Sequence, residues 1–208
     1  GHTRLSIIDV SQLGHQPMFS DDSSSCLVFN GEIYNYKNLK NDLENKGYSF
    51  KSNSDTEVVL HAYIEWGKEC LHKFIGMFAF VIYDIKSEEF FCVRDRAGVK
   101  PFYYYFDNNL FLFSSELKAF HKHPKFQKSI NLSGVAAYMQ YGNVPSPHCI
   151  FENCYKLKPG HYLSFNSRTI KETNSVSPTN QKKYWSVYDS YNKPKLDVSF
   201  KEAKQETE

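Results

Sequence analysis

The sequence predicts an α+β fold, with strands, then helices, then strands, and no regular β-α-β alternation. Three observations lead there. Aromatic residues form 16% of the 208-residue chain, with 17 Phe and 15 Tyr. Many cluster in short runs, and aromatic side chains suit the pleated, half-buried surface of a sheet. Between these runs lie segments whose apolar residues recur at helical spacing. The chain is long enough for one sizeable domain, or one domain and part of a second.

Taken in order, Gly1-His-Thr-Arg-Leu-Ser-Ile-Ile-Asp9 reads as a strand entered without an initiator Met. Cys26-Leu-Val28 reads as a buried strand, and Asn30-Gly31 as the turn that ends it. Residues 35–47 form an amphipathic helix, with Leu39 and Leu43 four apart and Gly47 as its stop. A second helix spans about 55–72, where Val58, Val59, Ala62, Tyr63 and Trp66 recur, and Ser54-Asp-Thr-Glu57 fits a capping box. Met77–Asp84 and Glu89–Arg94 are strands joined by the polar turn Lys86-Ser87-Glu88. Phe102–Phe106 and Leu110–Ser114 make a second hairpin. A helix near 132–141 follows, and His161–Phe165 is a further strand. Residues 167–183, rich in Ser, Thr, Asn and Lys, read as a linker.

Composition excludes several function classes. The net charge is +2, and no block of like charge or basic stripe calls for a nucleic acid. No apolar stretch approaches the ~20 residues that span a bilayer, and no signal peptide opens the chain. Cys26, Cys70, Cys92, Cys149 and Cys154 are odd in number and contain no CxxC pair, which indicates neither a disulfide framework nor a zinc site. A reduced, cytoplasmic setting follows as the expectation. His121-Lys-His123 lacks a third ligand for a metal, and His2 reads as a strand-edge packing residue.

Four polar clusters interrupt the apolar pattern: His2/Arg4, Asn30-Gly31-Glu32, Ser54–Glu57 and Arg94-Asp95-Arg96. Singly, each has a structural explanation. Arg4 fits a strand-edge charge, Asp55 an acid favoured by a helix N-terminus, and Arg94/Asp95 a local ion pair. Together, three of them fit one site for an α-amino acid. An Arg offers a planar fork to a carboxylate, and an Asp offers an anion to an ammonium group. Asn-Gly offers a side-chain amide and a backbone N–H to one developing oxyanion, with glycine allowing close approach to the main chain. Such a set fits glutamine.

The segments G-H-T-R-L-S-I-I-D, F-N-G-E-I-Y-N, S-D-T-E-V, G-M-F-A-F, R-D-R-A-G-V-K-P-F-Y-Y, S-S-E-L-K-A and K-L-K-P-G-H-Y-L occur in one order. In this the chain resembles the glutaminase half of glutamine-hydrolysing asparagine synthetases, class II amidotransferases among the N-terminal-nucleophile hydrolases. The resemblance covers about residues 1–166, with 184–208 similar to the start of the ATP-binding synthetase domain. It implies a four-layer αββα sandwich, missing its first strand or strands. It implies Arg4 on the carboxylate of glutamine, Asp55 on its ammonium, and Asn30 with Gly31 as oxyanion hole. Glu32 lines the pocket, and Leu5, Ile7 and Ile8 shape its wall. Arg94-Asp95, Gly98–Pro101 and Ser115–Lys118 match as structural or domain-interface elements.

The family's nucleophile is a cysteine at the first residue of the mature chain. This sequence begins at Gly1, several dozen residues downstream, and none of its five cysteines substitutes. The expectation is therefore a fragment inactive alone. Its parent would hydrolyse glutamine and deliver ammonia to an acceptor in the second domain, where ATP and Mg2+ are expected. That acceptor is aspartate, or another carboxylate such as a polysaccharide sugar acid. A homodimer is among the expected assemblies. The contrasting expectation is a non-catalytic glutamine-binding module.

Overall fold

The computed structural model describes residues 2, 8–9, 12–107, 109–168, 180–194, 198–199, 202 and 204. Arg4, Leu5 and Ile7 lie outside the described residues. The strands are β1 (Met18–Phe19), β2 (Ser25–Ile33), β3 (Gly76–Asp84), β4 (Glu89–Arg94), β5 (Tyr103–Asp107), β6 (Leu110–Ser114), β7 (Cys154–Lys156), β8 (His161–Asn166) and β9 (Lys182–Lys183). The helices are α1 (Tyr36–Glu44), α2 (Asp55–Trp66), α3 (Cys70–Lys73), α4 (Leu132–Tyr141) and α5 (Val187–Tyr191). One antiparallel sheet runs β1-β2-β3-β4-β8-β9, and a second runs β6-β5-β7.

Alternation along the strands explains the layers. On β2, Leu27, Phe29 and Ile33 are buried and join Leu39 and Leu43 of α1 and Val58, Val59, Leu60 and Ala62 of α2 in one core. Phe78, Phe80 and Ile82 of β3 belong to the same core, while Ala79 and Val81 face the other way. These alternate residues meet Phe102, Tyr104 and Phe106, so the two sheets stack through a second core. A third core, Tyr105, Phe120, Phe126, Cys149 and Cys154, covers the outer face of the second sheet. The fold is an α+β sandwich in which helices cover the first sheet, and the 3-10 turn of Leu117–Lys122 and α4 lie beyond the second.

Two helices show how local sequence and tertiary packing share the decision. α1 buries only Leu39 and Leu43, the i and i+4 stripe of a surface helix. α2 is buried from Asp55 through Ala62, and Ser54 caps it by accepting from Thr56 N at 3.2 Å. Only half of the predicted capping box forms. Glu57 turns instead to the preceding loop, accepting from Lys51 N at 2.8 Å and Ser52 N at 2.7 Å. The helix also stops earlier than periodicity predicts, at Gly67 (φ 55), before a 3-10 turn and the short α3.

The Asn-Gly pair is a larger correction. It does not end the strand: Asn30 and Gly31 sit within β2, opposite Ala79 and Phe78, and pairing continues to Ile33 opposite Gly76. Gly31 has φ 150, and a Cβ there would fall onto the Met77 carbonyl and within 2.7 Å of Phe78 Cα. A Cβ on Gly76 would likewise strike the Glu32 carbonyl. Glycine serves close approach of two backbones here rather than a tight turn.

Residues 180–185 pack against the sandwich. β9 pairs with β8, and Gln181 Nε2 donates to Tyr104 Oη at 2.9 Å while its Oε1 accepts from Lys158 N at 2.9 Å. Tyr184 Oη donates to the Arg94 carbonyl at 2.9 Å. A single ring tests the first core. Phe80 is 1% exposed and lies among the rings of Phe29, Phe74, Phe78 and Phe91. Phe80→Ala is expected to cost about 3–5 kcal/mol, read as a lower urea midpoint at unchanged slope.

Candidate functional site

A cleft of about 860 Å³ opens between the two sheets. Its position follows from the β2 alternation. Phe29 faces the helices, so Val28 and Asn30 face the second sheet and line the cleft. Gly31, Glu32, Asp55 and Ile8 line it as well. His2, which is exposed, also borders it. Every described residue among the predicted site residues therefore meets in one cleft.

Asp55 occupies the first turn of α2 and is 6% exposed. Its Oδ2 accepts from Ile33 N at 3.0 Å, which ties the helix start to the end of β2. Burial raises its pKa above 3.8, against the lowering effect of hydrogen bonds from Ile33 N and Thr56 N, and Glu32 adds to the rise. A buried carboxylate with an anionic neighbour is poised to gain from an incoming cation. Asn30 Nδ2 donates to Ser115 Oγ at 3.1 Å across the cleft.

The loop that supplies part of the opposite wall is held by Arg94 and Asp95, which do not form the predicted ion pair. Arg94 donates to the carbonyls of Lys100, Leu157 and Gly98, each at 2.8 Å. Asp95, 1% exposed, accepts from Val99 N and Lys100 N at 2.9 Å and from Phe78 N at 3.3 Å. These bonds fix the loop that carries Lys100 and Pro101 into the cleft wall. Arg96 donates to the Phe74 carbonyl at 2.6 Å and the Leu71 carbonyl at 3.3 Å, closing the end of α3. All three residues of that cluster hold backbone.

The cysteines stand apart from this chemistry. Burial raises the thiol pKa of Cys26 and Cys92, and pushes that of Cys70 up to about 12. Cys149 is lowered by a hydrogen bond from Cys154, but both belong to the core beyond the second sheet. None of the five lines the cleft. Among the described residues no cluster of three metal-ligating side chains occurs, and no helix is long and apolar enough to cross a membrane.

With this geometry in place, comparison with known proteins decides the family. The model of the glutamine amidotransferase domain matches residues 1–185. The chain belongs to that family. It is similar to a putative glutamine-hydrolysing asparagine synthetase 2 of Methanocaldococcus jannaschii, 43% identical over 182 residues, covering 80% of this chain and 35% of that protein. Asparagine synthetase 3 of Bacillus subtilis is 36% identical over 191 residues, covering 90% of this chain and 29% of its own length. A protein named amidase chry2 in Gibberella zeae is 36% identical over 163 residues, covering 78% of this chain and 24% of its own. The chain thus spans about a third or less of the length of these curated relatives. Among solved structures, the glutamine phosphoribosylpyrophosphate amidotransferase of B. subtilis shares the fold, with TM-score 0.53 and 23% identity over 80% of this chain and 32% of that one.

The fold predicted from the sequence is the fold observed, an α+β sandwich shared with the B. subtilis enzyme and with a solved allosteric regulatory enzyme of purine biosynthesis. What periodicity missed is Ser115, which reaches Asn30 across 85 positions of chain. The sequence marks it only within Ser115–Lys118, as a structural or domain-interface element, and gives no sign of the bond to Asn30. Gly31 carries the tightest constraint in the site. Gly31→Ala is expected to cost roughly 2–4 kcal/mol, from backbone strain and overpacking together, measured as a loss of thermal or urea stability.

Proposed function

We propose that this chain is the glutamine-hydrolysing part of an amidotransferase of the asparagine synthetase type. The observation that carries the reading is the convergence of Asn30, Gly31, Glu32 and Asp55 on one cleft of a glutamine amidotransferase domain. In this reading Asp55 binds the ammonium group of glutamine, with Glu32 beside it, and Arg4 grips the α-carboxylate. Ile8 shapes the wall together with Leu5 and Ile7. The Asn30 side chain and the Gly31 backbone N–H receive the negative charge that develops on the amide oxygen as a nucleophile adds to it. That charge is greater in the transition state than in bound glutamine, so the donors act on turnover more than on binding.

The nucleophile in this reading is the N-terminal cysteine thiolate that the family resemblance implies, since none of the five cysteines here lines the cleft. It adds to the amide carbon, ammonia leaves with a proton, and water then releases glutamate from the thioester. In the whole protein ammonia would pass to a synthetase domain, where a carboxylate acceptor would be activated at the expense of ATP, with Mg2+, and ammonia would displace the activating group. We assign aspartate as that acceptor on the names of the M. jannaschii and B. subtilis relatives. The similarity to a relative named amidase supports a second reading with a different carboxylate. A cytoplasmic protein, dimeric in solution, completes the proposal, with residues 1–166 as glutaminase unit, 167–183 as connection and 184–208 as entry to the second domain.

Two measurements on the full-length protein test the site. Asn30→Ala is expected to lower the kcat of glutamine hydrolysis about 10²–10³-fold with KM little changed; an unaltered kcat removes Asn30 from the reaction. The second concerns pH. The folded pKa of Asp55 is raised, so its proton is held to a higher pH than in an ordinary aspartate, and the anion that binds ammonium is lost sooner as pH falls. The KM for glutamine is therefore expected to climb on acidification from a point above 3.8. Asp55→Asn is expected to raise KM wherever Asp55 is ionised and to abolish that limb.

A further inference from the structure

The bond from Asn30 Nδ2 to Ser115 Oγ joins the two sheets at the proposed oxyanion hole. Asn30 belongs to β2 in the first sheet, and Ser115 follows the last residue of β6 in the second. A primary amide carries two N–H groups in one plane. Committing one of them to a fixed acceptor sets that plane and leaves the other with a single direction. Without such an acceptor the terminal torsion of asparagine is broad and roughly two-fold. A donor that must first be oriented gives up part of what preorganisation supplies.

Ser115 is itself held in place. The neighbouring Ser114 hydroxyl accepts from Glu116 N at 3.1 Å, turning the chain at the cleft edge. Two residues earlier, Phe113 stacks on Phe102 at 6.1 Å with planes 11° apart, and Phe120 anchors the following 3-10 turn in the third core. The acceptor is thus carried on a segment fixed at both ends.

We infer that Ser115 is a positioning residue of the oxyanion hole, its hydroxyl taking one amide hydrogen of Asn30 and so aiming the other at the substrate oxygen. This rests on the amidotransferase reading above, and it assigns the second sheet a part in turnover. The prediction is a change in kcat rather than in glutamine binding, because Ser115 acts through Asn30.

The test is a double-mutant cycle in glutamine hydrolysis by the full-length protein. Ser115→Ala is expected to lower kcat about tenfold with KM within about twofold, and Ser115→Thr, which keeps the hydroxyl, to restore most of it. In the Asn30→Ala background, Ser115→Ala is expected to cost nothing further. Ser115→Cys keeps the side-chain size with a weak acceptor, and carries the same expectation if the alanine variant fails to fold. A Ser115→Ala enzyme with wild-type kcat, or a loss that multiplies in full onto that of Asn30→Ala, overturns the inference while the amidotransferase reading stands. A full-length wild-type protein that releases no ammonia from glutamine sinks both.

Discussion

The close approach of β2 and β3 at Gly31 is the constraint on which the site depends. Opposite Phe78 the two backbones leave no room for a Cβ, and two register steps later Gly76, opposite Ile33, repeats the condition against the Glu32 carbonyl. Pairing can therefore continue through Asn30, Gly31 and Glu32 to Ile33. That continuity has two consequences. It presents Asn30 to the gap between the sheets, and it delivers the Ile33 N–H to Asp55. A substituted residue at 31 would push the strands apart and move both ends of the site together.

The second condition is the stacking of the sheets. Phe102, Tyr104 and Phe106 lie on Ala79, Val81, Cys92 and Leu163, small or medium residues that let the aromatic strand settle close. Burial of these rings is the main apolar stabilisation between the layers. The cleft is the place where this packing stops, beside the loop fixed by Arg94 and Asp95. Two structural side chains thus define the cavity without touching what it would hold.

Much of the fold is legible in the sequence because the signals are local. Leu39 and Leu43 mark α1, and the apolar runs Met77–Asp84 and Glu89–Arg94 around the polar turn Lys86-Ser87-Glu88 mark two strands, which the structure pairs from Asp84 opposite Glu89. The failures come where a distant partner decides. Asn-Gly is a common turn signal, yet β3 recruits it into a strand. Glu57 satisfies the box pattern, yet its carboxylate accepts from two loop N–H groups while the Ser54 N–H donates to Ser52 Oγ. The strands β1, β7 and β9 are two or three residues long, too short to leave a period. α4 is visible as a helix, but its apolar residues do not mark a core face: Leu132, Tyr138, Met139 and Tyr141 are exposed, and only Gly134 is buried against the Cys149 carbonyl. Of the site, residue types and their chemistry were readable. The bond that crosses between sheets was not, because nothing local encodes it.

The central claim is that one cleft binds glutamine by its head and polarises its side-chain amide with Asn30 and Gly31. The most direct measurement is a crystal structure of the full-length protein trapped by a diazoketone analogue of glutamine, which forms a stable ketone adduct with a nucleophilic thiol. The ketone oxygen is expected about 2.7–3.1 Å from both Asn30 Nδ2 and Gly31 N, with the ammonium group on Asp55. An adduct whose oxygen points away from Asn30, or whose amino group lies outside the Asp55 end of the cleft, would contradict it.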